Sequence, residues 1–347
     1  MDEKGEASQK TRVTVCIPTY NSAAFLSETL RSLLSQDYPN YEIIVVDNAS
    51  TDSTPEIVRT CKDPKLAYRR FDEFVPSVKN WNRALGLANE SDGKYIAICH
   101  GDDVYEPDFI SEEARYLDEH PEAGGVFSSA KTIARPGTQL GKLDRPPFFK
   151  SDEITAKELL IYSLNTAFFP LVSPTFMARK ETLAKTGYFD ITSKFAFDMD
   201  YYFRLFDWGS VGYLAKHLIN YRVHPMQASV RFYDTTDTQA EFYQIVDREM
   251  KKLGLELTDA QKCRLEANRH WGWAIDAVSH AKLGDPKKAL ELTKKALVYP
   301  DALIDFPAPK FIFRVVLLSV FLSSQYVGLG KLFADIVYLY KAKKRGG

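Results

Sequence analysis

The chain has 347 residues, of which 45% are hydrophobic, and its formal net charge is −1. This length can bury a large core, so we expect one main domain with a smaller appendage. The balanced charge offers no basic surplus, so no nucleic-acid partner is expected. The polar, acidic first residues lack the apolar stretch of a secretory signal, and the four cysteines have no metal-ligand spacing. A reducing cytoplasm is therefore the predicted location.

Strands and helices alternate from the start of the apolar part of the chain. Residues 13–17 predict a short buried strand that breaks at Pro18, and Asn21 or Ser22 is predicted to cap the helix that follows. A second apolar strand is predicted over residues 41–46, and it ends in a polar loop. This alternation predicts a right-handed parallel α/β sheet flanked by helices.

Three further predicted elements lead to a pair of acids. A strand near residues 66–71 and a helix over residues 78–89 precede a strand over residues 95–99, after which Asp102 and Asp103 follow in a loop. Adjacent carboxylates repel each other unless a cation or a proton lies between them, and a divalent metal is a common partner where phosphate is bound. The alternative is a pair of solvated turn residues.

Polar segments follow the ends of three of these predicted strands, at residues 18–21, 47–50 and 100–103. In open parallel sheets, ligands bind beyond the carboxyl ends of the strands. We therefore expect the three segments to converge on one edge of the sheet and to form a single binding site.

The three segments together resemble the signature of the inverting family 2 glycosyltransferases. The matching stretches are Val-Thr-Val-Cys-Ile-Pro-Thr-Tyr-Asn at 13–21, Glu-Ile-Ile-Val-Val-Asp-Asn-Ala-Ser-Thr-Asp at 42–52, Gly-Lys-Tyr-Ile-Ala-Ile-Cys-His-Gly-Asp-Asp at 93–103, Gly-Tyr-Phe-Asp at 187–190 and Tyr-Arg-Val-His at 221–224. The resemblance implies a nucleotide-sugar-binding, GT-A-like fold: a mostly parallel sheet flanked by helices, with a catalytic domain over residues 13–230.

The resemblance also implies a set of donor and metal contacts. Tyr20 is expected to stack on the base, and the Asn48 carbonyl to accept a hydrogen bond from a uracil-type N–H, so a UDP-sugar is the expected donor. Asp103 is the implied Mg²⁺ or Mn²⁺ ligand, and His224 an additional metal or phosphate contact. The other implied donor contacts are Pro18, Asn21, Asp47, Asn82 and Asp102.

Several of these residues have structural interpretations as well. Asn48 is also a typical turn or capping residue, and His100 can simply fill the end of a strand. Arg222 is a candidate phosphate contact. Lys79 or Arg83 could also offset phosphate charge, although the amphipathic helix that carries them exposes lysine and arginine in any case. Trp81 is interpreted as a packing residue rather than a sugar-stacking one.

A second acidic segment, Phe-Asp-Met-Asp at residues 197–200, resembles the start of the family's helix that carries the catalytic base. The matching position is Asp198, and the apolar Phe197 before it is expected to raise the pKa of this carboxyl. Asp200 is predicted to pair with Arg204 one helical turn later. The resemblance implies one displacement in which Asp198 takes the proton of an acceptor hydroxyl, without a covalent sugar intermediate.

The C-terminal third reads as helical. Residues 231–305 are predicted to form an α-helical annex with one tetratricopeptide-like hairpin, and residues 306–347 an apolar helix with a basic tail. That last helix is interpreted either as a peripheral contact with the inner face of the cytoplasmic membrane or as a buried helix. Residues 1–12 are predicted to be a disordered tail. A glycan or lipid-linked acceptor, in cell-surface polysaccharide or lipid-linked glycan assembly, is what the resemblance implies.

Two other functional classes stay open. A nucleotidyltransferase on a similar sheet would show a glycine-rich phosphate loop after the first strand, where this chain has Pro-Thr-Tyr-Asn. A non-catalytic nucleotide-sugar binder or scaffold is suggested by departures from the family pattern at Asn48, His100 and Phe197. The presence of Asp103 and Asp198 favours the enzyme.

Overall fold

The computed structural model describes residues 11–134, 138–193, 195–224, 226–227 and 238–297. The chain divides into two compact units, and the stretches predicted as an N-terminal tail and as an apolar C-terminal helix lie almost wholly outside the described residues. The first unit draws on Met1–Glu158, Pro170–Thr192 and Phe197–His224, and the second on Leu159–Phe169, Ser193–Ala196 and Pro225–Gly347.

Strands and helices alternate through the first unit, as the apolar pattern predicts. The strands are β1 Val13–Thr19, β2 Tyr41–Asp47, β3 Leu66–Arg70, β4 Tyr95–Ile98, β5 Val104–Tyr105, β6 Ala123–Ile133, β7 Gln139–Leu143, β8 Glu153–Ile154, β9 Phe176–Arg179 and β10 Ser210–Arg222. The helices up to β10 are α1 Leu26–Leu34, α2 Thr54–Thr60, α3 Ser77–Glu90, α4 Phe109–Glu119, α5 Ala156–Thr166, α6 Lys180–Thr186 and α7 Phe197–Leu205, with a short 3-10 turn at Ser173–Thr175.

The described strands form one sheet in the order β3-β2-β1-β4-β9-β6-β10-β5, with β7 beside β6 and β8 beside β10. The first four are parallel, which confirms the α/β prediction for the part of the sheet that precedes the acidic pair. Beyond β4 the sheet is mixed, because β9 runs antiparallel to both β4 and β6. Strands β1, β2 and β4 are buried on both faces, as their continuous apolar sequences require, whereas β3 at the edge is partly exposed.

Three local predictions need correction. Strand β1 does not break at Pro18: it continues to Thr19, and Pro18 lies where β4 has already ended and only β2 pairs with it. Neither Asn21 nor Ser22 caps α1 with its side chain, since the helix begins only at Leu26. The proline and glycine residues of the stretch 131–150 predict a loop, but this stretch contains the antiparallel pairing of β6 with β7.

The second unit contains three further helices in its described part. They are α8 Thr238–Lys252, α9 Asp259–Lys282 and α10 Pro286–Leu297. Helices α9 and α10 occupy the segment predicted as a hairpin, and Gly284 between them has a φ of 85°, which favours glycine. Small apolar side chains pack between these helices, namely Ala277, Ala281, Ala289 and Leu292. None of the helices in the described part of the chain is both long and apolar enough to cross a membrane.

Candidate active site

The ends of β1, β2 and β4 lie side by side, so the three polar segments reach the same edge of the sheet. Thr19 is in register with Asp47, and the Asn48 N–H continues the ladder by donating to the Thr19 carbonyl at 2.9 Å. On the other side of β1, the Cys99 N–H donates to the Cys16 carbonyl at 2.8 Å, just before the acidic loop. The convergence expected from parallel strands is therefore present.

Asp103 is fully buried, and only one of its carboxylate oxygens has a partner. Its Oδ1 accepts a 2.7 Å hydrogen bond from the Arg222 N–H, whereas its Oδ2 has no hydrogen-bond partner within the described ranges. Burial raises the pKa of Asp103 well above its usual range, and the charge of neighbouring Asp102 raises it further. A negative charge here needs a cation or a proton close to the free oxygen.

Asp102 is held differently from its neighbour. Burial alone would raise the pKa of Asp102, but a hydrogen bond from His224 and the nearby His100 outweigh burial, and the pKa is lowered. The His224 Nε2 lies 3.0 Å from the Asp102 Oδ2. The resemblance implies that His224 is a metal or phosphate contact. In the structure His224 bonds to the Asp102 carboxylate and orients it.

A cation-sized group of ligand atoms is formed by His100, Asp102 and Asp103, whose candidate atoms all lie within 4.8 Å of one another. Burial lowers the pKa of His100, opposed by the charge of Asp102, and a lower pKa favours the neutral form of the ring, which is the form that ligates metals. Carboxylate oxygens, one of them buried and without a partner, suit a hard divalent cation such as Mg²⁺ or Mn²⁺. The residues present therefore fit the expected metal, and a ring nitrogen of His100 lies within 4.8 Å of oxygens of both aspartates.

The Arg222 side chain and N–H bond to the acidic loop and hold it in place. Its Nε donates to the Asp102 carbonyl at 2.8 Å, and its Nη2 lies 2.6 Å from the Glu28 carboxylate on α1. Only 2% of Arg222 is exposed. Thr29 on the same helix donates to the Asp103 carbonyl at 2.7 Å. The structure therefore favours a positioning role for Arg222 over the phosphate contact considered from the sequence.

At the β1 and β2 ends, the predicted donor residues Asp47 and Asn21 bond to neighbouring groups of the protein. Asp47 is buried, with Oδ1 accepting from the Ser50 N–H at 3.0 Å and Oδ2 from the Tyr68 hydroxyl at 2.5 Å. Asn21 has a φ of 49° and accepts a 2.8 Å hydrogen bond from the Thr51 N–H. These bonds fasten the two loops together and leave Tyr20, which is 42% exposed, facing outward.

Asn48 also uses its amide inside the protein. Its Oδ1 accepts from the Val75 N–H at 3.0 Å and from Arg83 Nη1 at 3.1 Å, and its Nδ2 donates to the Val75 carbonyl at 2.7 Å. The acceptor predicted to recognise a uracil N–H is thus already bonded, and so is the Arg83 side chain proposed to offset phosphate charge.

Asn82, which lies on helix α3, also makes a pair of hydrogen bonds with its amide. Its Nδ2 donates to the Phe189 carbonyl at 2.9 Å, and its Oδ1 accepts from the Phe189 N–H at 2.8 Å. The predicted donor-facing residue therefore holds the Gly-Tyr-Phe-Asp segment, whose Phe189 ring is buried.

We expect Asn82→Ala to lower the free energy of unfolding by about 1–3 kcal/mol, because it leaves both backbone groups of a buried residue without partners. Urea unfolding followed by circular dichroism measures this change. Asn89→Ala is the matched control, since Asn89 lies on the same helix and its amide oxygen has no partner among the described residues. Unchanged stability of Asn82→Ala together with a large loss of nucleotide affinity would instead support the donor-facing role.

Asp198 lies in the first turn of helix α7, and a carboxylate is favourable near a helix N-terminus. Its Oδ1 accepts from the Met199 N–H at 2.7 Å and its Oδ2 from the Ser173 hydroxyl at 3.1 Å. Burial raises the pKa of Asp198, and these two hydrogen bonds oppose the shift only in part. Asp200 lies 3.0 Å from the Arg204 Nε, which confirms the predicted ion pair.

Ser173 was not found from the sequence, because it lies 25 residues before Asp198 in a short 3-10 turn without a recognisable motif. The Ser-Pro sequence there signals only a turn. Its role as a partner of the carboxylate becomes visible only in the folded chain.

The acidic loop and the start of α7 contact the same side chain. The Trp81 ring centroid lies 5.0 Å from that of His100 and 5.6 Å from that of Phe197, with edge-to-face geometry in both cases. Trp81 also contacts Phe189 at 5.5 Å, so the predicted packing role is confirmed. One indole ring thus contacts both the loop that carries the candidate metal group and the start of the helix that carries the candidate base.

Comparisons with known proteins agree with this geometry. A model described as glycosyl transferase family 2 matches residues 14–183. An uncharacterized glycosyltransferase of Rickettsia typhi is 28% identical over 292 residues, which cover 82% of this chain and 86% of that protein. The putative teichuronic acid biosynthesis glycosyltransferase TuaG of Bacillus subtilis is 29% identical over 140 residues, or 40% of this chain and 54% of TuaG.

Among solved structures, S. aureus TarS 1–349 in complex with UDP-GlcNAc matches with a TM-score of 0.57 and 20% identity. The match covers 96% of this chain and 92% of that one. The likeness shows the fold, a GT-A-like mixed α/β sheet flanked by helices, as expected from the sequence motifs.

Proposed function

Because the chain belongs to glycosyl transferase family 2, we propose that it transfers a sugar from a nucleoside-diphosphate sugar to an acceptor hydroxyl, inverting the anomeric configuration. The observation that carries this proposal is the contact of one indole ring, Trp81, with both His100 and Phe197. It joins the acidic strand-end loop, suited to a metal and a diphosphate, to the start of helix α7, which carries Asp198, a carboxylate suited to act as a base.

The metal-holding residues are Asp103 and Asp102, with His100 beside them. A bound Mg²⁺ or Mn²⁺ would neutralise the negative charge that develops on the departing nucleoside diphosphate. Arg222 and Thr29 fix the backbone of the acidic loop, and His224 fixes the Asp102 carboxylate. These bonds hold the ligand oxygens in position before any donor binds, which reduces the cost of ordering them.

Asp198 acts as the general base. Its Oδ2, oriented by Ser173, takes the proton of the acceptor hydroxyl while the hydroxyl oxygen attacks the anomeric carbon. The bond from that carbon to the diphosphate oxygen breaks in the same displacement, so the configuration inverts and no glycosyl-enzyme intermediate forms. A raised pKa makes this carboxylate a stronger base than an exposed aspartate.

The donor we propose is a UDP-sugar, supported by the UDP-GlcNAc complex of TarS. Cell-surface polysaccharide assembly is supported by the name of TuaG, so the acceptor we propose is a glycan or a lipid-linked glycan. The location we propose is the cytoplasm, at the inner face of the cytoplasmic membrane. A peripheral membrane contact through residues 306–347 stays a prediction, because this stretch lies outside the described residues.

The test combines the protein with Mn²⁺, a panel of nucleotide sugars, and oligosaccharide or lipid-linked acceptors. We expect acceptor-dependent release of UDP, and a product whose anomeric proton has the opposite configuration to the donor by NMR. Tight binding of a UDP-sugar with neither transfer nor hydrolysis would favour the binding-protein alternative. Retention of configuration would contradict the single displacement.

A further inference from the structure

Two aromatic rings stand exposed side by side at the nucleotide end of the site. Tyr20 follows β1, and Phe74 lies between β3 and α3. Their ring centroids are 4.7 Å apart with planes at 52°, although 42% of Tyr20 and 54% of Phe74 is accessible to solvent. We call these two residues the aromatic pair. Both rings lie beyond the carboxyl ends of parallel strands, where open sheets of this kind bind ligands, and their exposed faces are accessible to one.

The segment that carries Phe74 is held by a buried side chain. Asn48 is 2% exposed and bonds to Val75 in both directions, accepting from its N–H and donating to its carbonyl. Arg83 adds a 3.1 Å bond to the Glu73 carbonyl, and its guanidinium lies 4.1 Å from the centre of the Phe71 ring. The backbone on both sides of Phe74 is therefore fixed.

Only an amide can make both bonds from Asn48 to Val75. An aspartate has two acceptor oxygens, so it would keep the bond from the Val75 N–H but would place an oxygen against the Val75 carbonyl, where Nδ2 now donates at 2.7 Å. The asparagine at position 48 is thus required by the segment that presents Phe74.

We propose that the aromatic pair is the contact surface for the base of the nucleotide, and that Asn48 is a positioning residue that acts through Phe74 without touching the base. This inference rests on the proposed function for the presence of a nucleotide donor. It adds Phe74 to the residues that bind the donor and replaces base recognition by the Asn48 carbonyl.

The placement suits a nucleoside diphosphate. Strands β2 and β4 flank β1, so the strand ends that lead to Asn48 and to Asp102 are two strand spacings apart, about 10 Å. A base on the aromatic pair would leave its diphosphate directed towards Asp103. Every base has an aromatic face, so stacking supplies affinity whatever the base.

The test measures UDP affinity in the presence of Mn²⁺ by isothermal titration calorimetry. Because base stacking on an aromatic ring is lost in Phe74→Ala, we expect UDP to bind about 5- to 100-fold more weakly. Phe74→Tyr should bind UDP about as well as the wild type. Phe148→Ala, which removes another exposed ring from the first unit, is the matched control and should leave the affinity unchanged. Pyrophosphate with Mn²⁺ lacks a base, so its affinity should be the same in all variants.

A double-mutant cycle separates the two roles of Asn48. Asn48→Asp should weaken UDP binding, and combining it with Phe74→Ala should cause little further loss, because both changes remove one contact. Additive losses would show that Asn48 touches the base itself and would overturn the positioning role. Unchanged UDP affinity in Phe74→Ala would overturn the aromatic pair while leaving the proposed function intact. If the wild type binds none of UDP, GDP, ADP, CDP and dTDP, both the inference and the proposed donor class fail.

Discussion

Asp198→Asn is expected to abolish sugar transfer while leaving donor affinity close to that of the wild type. The amide keeps the size of the carboxylate. Its oxygen can still accept from the Met199 N–H, and its NH2 group can donate to the Ser173 hydroxyl oxygen, so the local structure should persist. It cannot take a proton from an acceptor at neutral pH. Loss of a general base typically costs about 10²- to 10⁴-fold in rate, and a steady-state assay of UDP release with acceptor measures it.

The pH profile provides a second measurement of the same role. A general base works in its ionised form, so the rate should fall as pH falls through the pKa of Asp198. Because burial raises this pKa, the acid limb should lie at higher pH than for an exposed aspartate, whose pKa is about 3.9. Ser173→Ala removes a hydrogen bond that favours the ionised form, so it should move the acid limb to still higher pH.

The control for Asp198 is Asp200→Asn on the same helix. Asp200 points to Arg204 rather than to Ser173, and an amide oxygen can still accept from the Arg204 Nε. Asp200→Asn should therefore retain turnover, provided circular dichroism shows a folded protein. Full transfer activity in Asp198→Asn, or an equal loss in the two variants, would remove Asp198 from the role of base.

The sequence was sufficient to locate the edge of the sheet on which the site lies. Buried parallel strands are continuous apolar runs, and β1, β2 and β4 are all of this kind, so their ends could be recognised. Polar residues after these ends must then meet, because parallel strands bring their carboxyl ends to one edge. Local spacing also sufficed for the pair of Asp200 with Arg204, which lies within one helix.

The partners of the candidate site residues could not be predicted in the same way. Asn82 bonds to the backbone of Phe189, 107 residues away, and Arg222 bonds to Asp103, 119 residues away. Contacts of this kind depend on how helices and strands pack, and no local pattern records them. From the sequence alone, a polar residue that binds a ligand therefore cannot be distinguished from one that bonds to a distant peptide group.

The strand directions in the mixed part of the sheet could not be predicted from the sequence, for a related reason. Strand β9 is only four residues long, and its direction is set by the route of the chain between α5 and α6. A short apolar strand has the same appearance in either direction. The hairpin of β6 with β7 was hidden because glycine and proline in the stretch 131–150 also signal loops.

Asp103→Asn is expected to remove metal-dependent donor binding as well as turnover. The variant keeps an acceptor for the Arg222 N–H, so the loop should stay folded, but it loses the negative charge beside an oxygen that has no partner in the described chain. Even an outer-shell partner of a metal is worth about 10- to 100-fold in affinity, so loss of a direct ligand should exceed that range. Mn²⁺ binding followed by electron paramagnetic resonance, with and without UDP, measures the change.

Asp108→Asn is the control for this variant, because Asp108 lies five residues further on and its carboxylate contacts Lys216 at the surface. It removes the same charge from the chain and should leave Mn²⁺ affinity unchanged.

The variants Asp198→Asn and Asp103→Asn should then differ from each other. Asp198→Asn should bind Mn²⁺ and UDP together without transfer, whereas Asp103→Asn should fail at the binding step. Equal affinity for UDP with and without Mn²⁺ in the wild type would contradict the metal role, since the buried carboxylate would then be compensated by a proton instead.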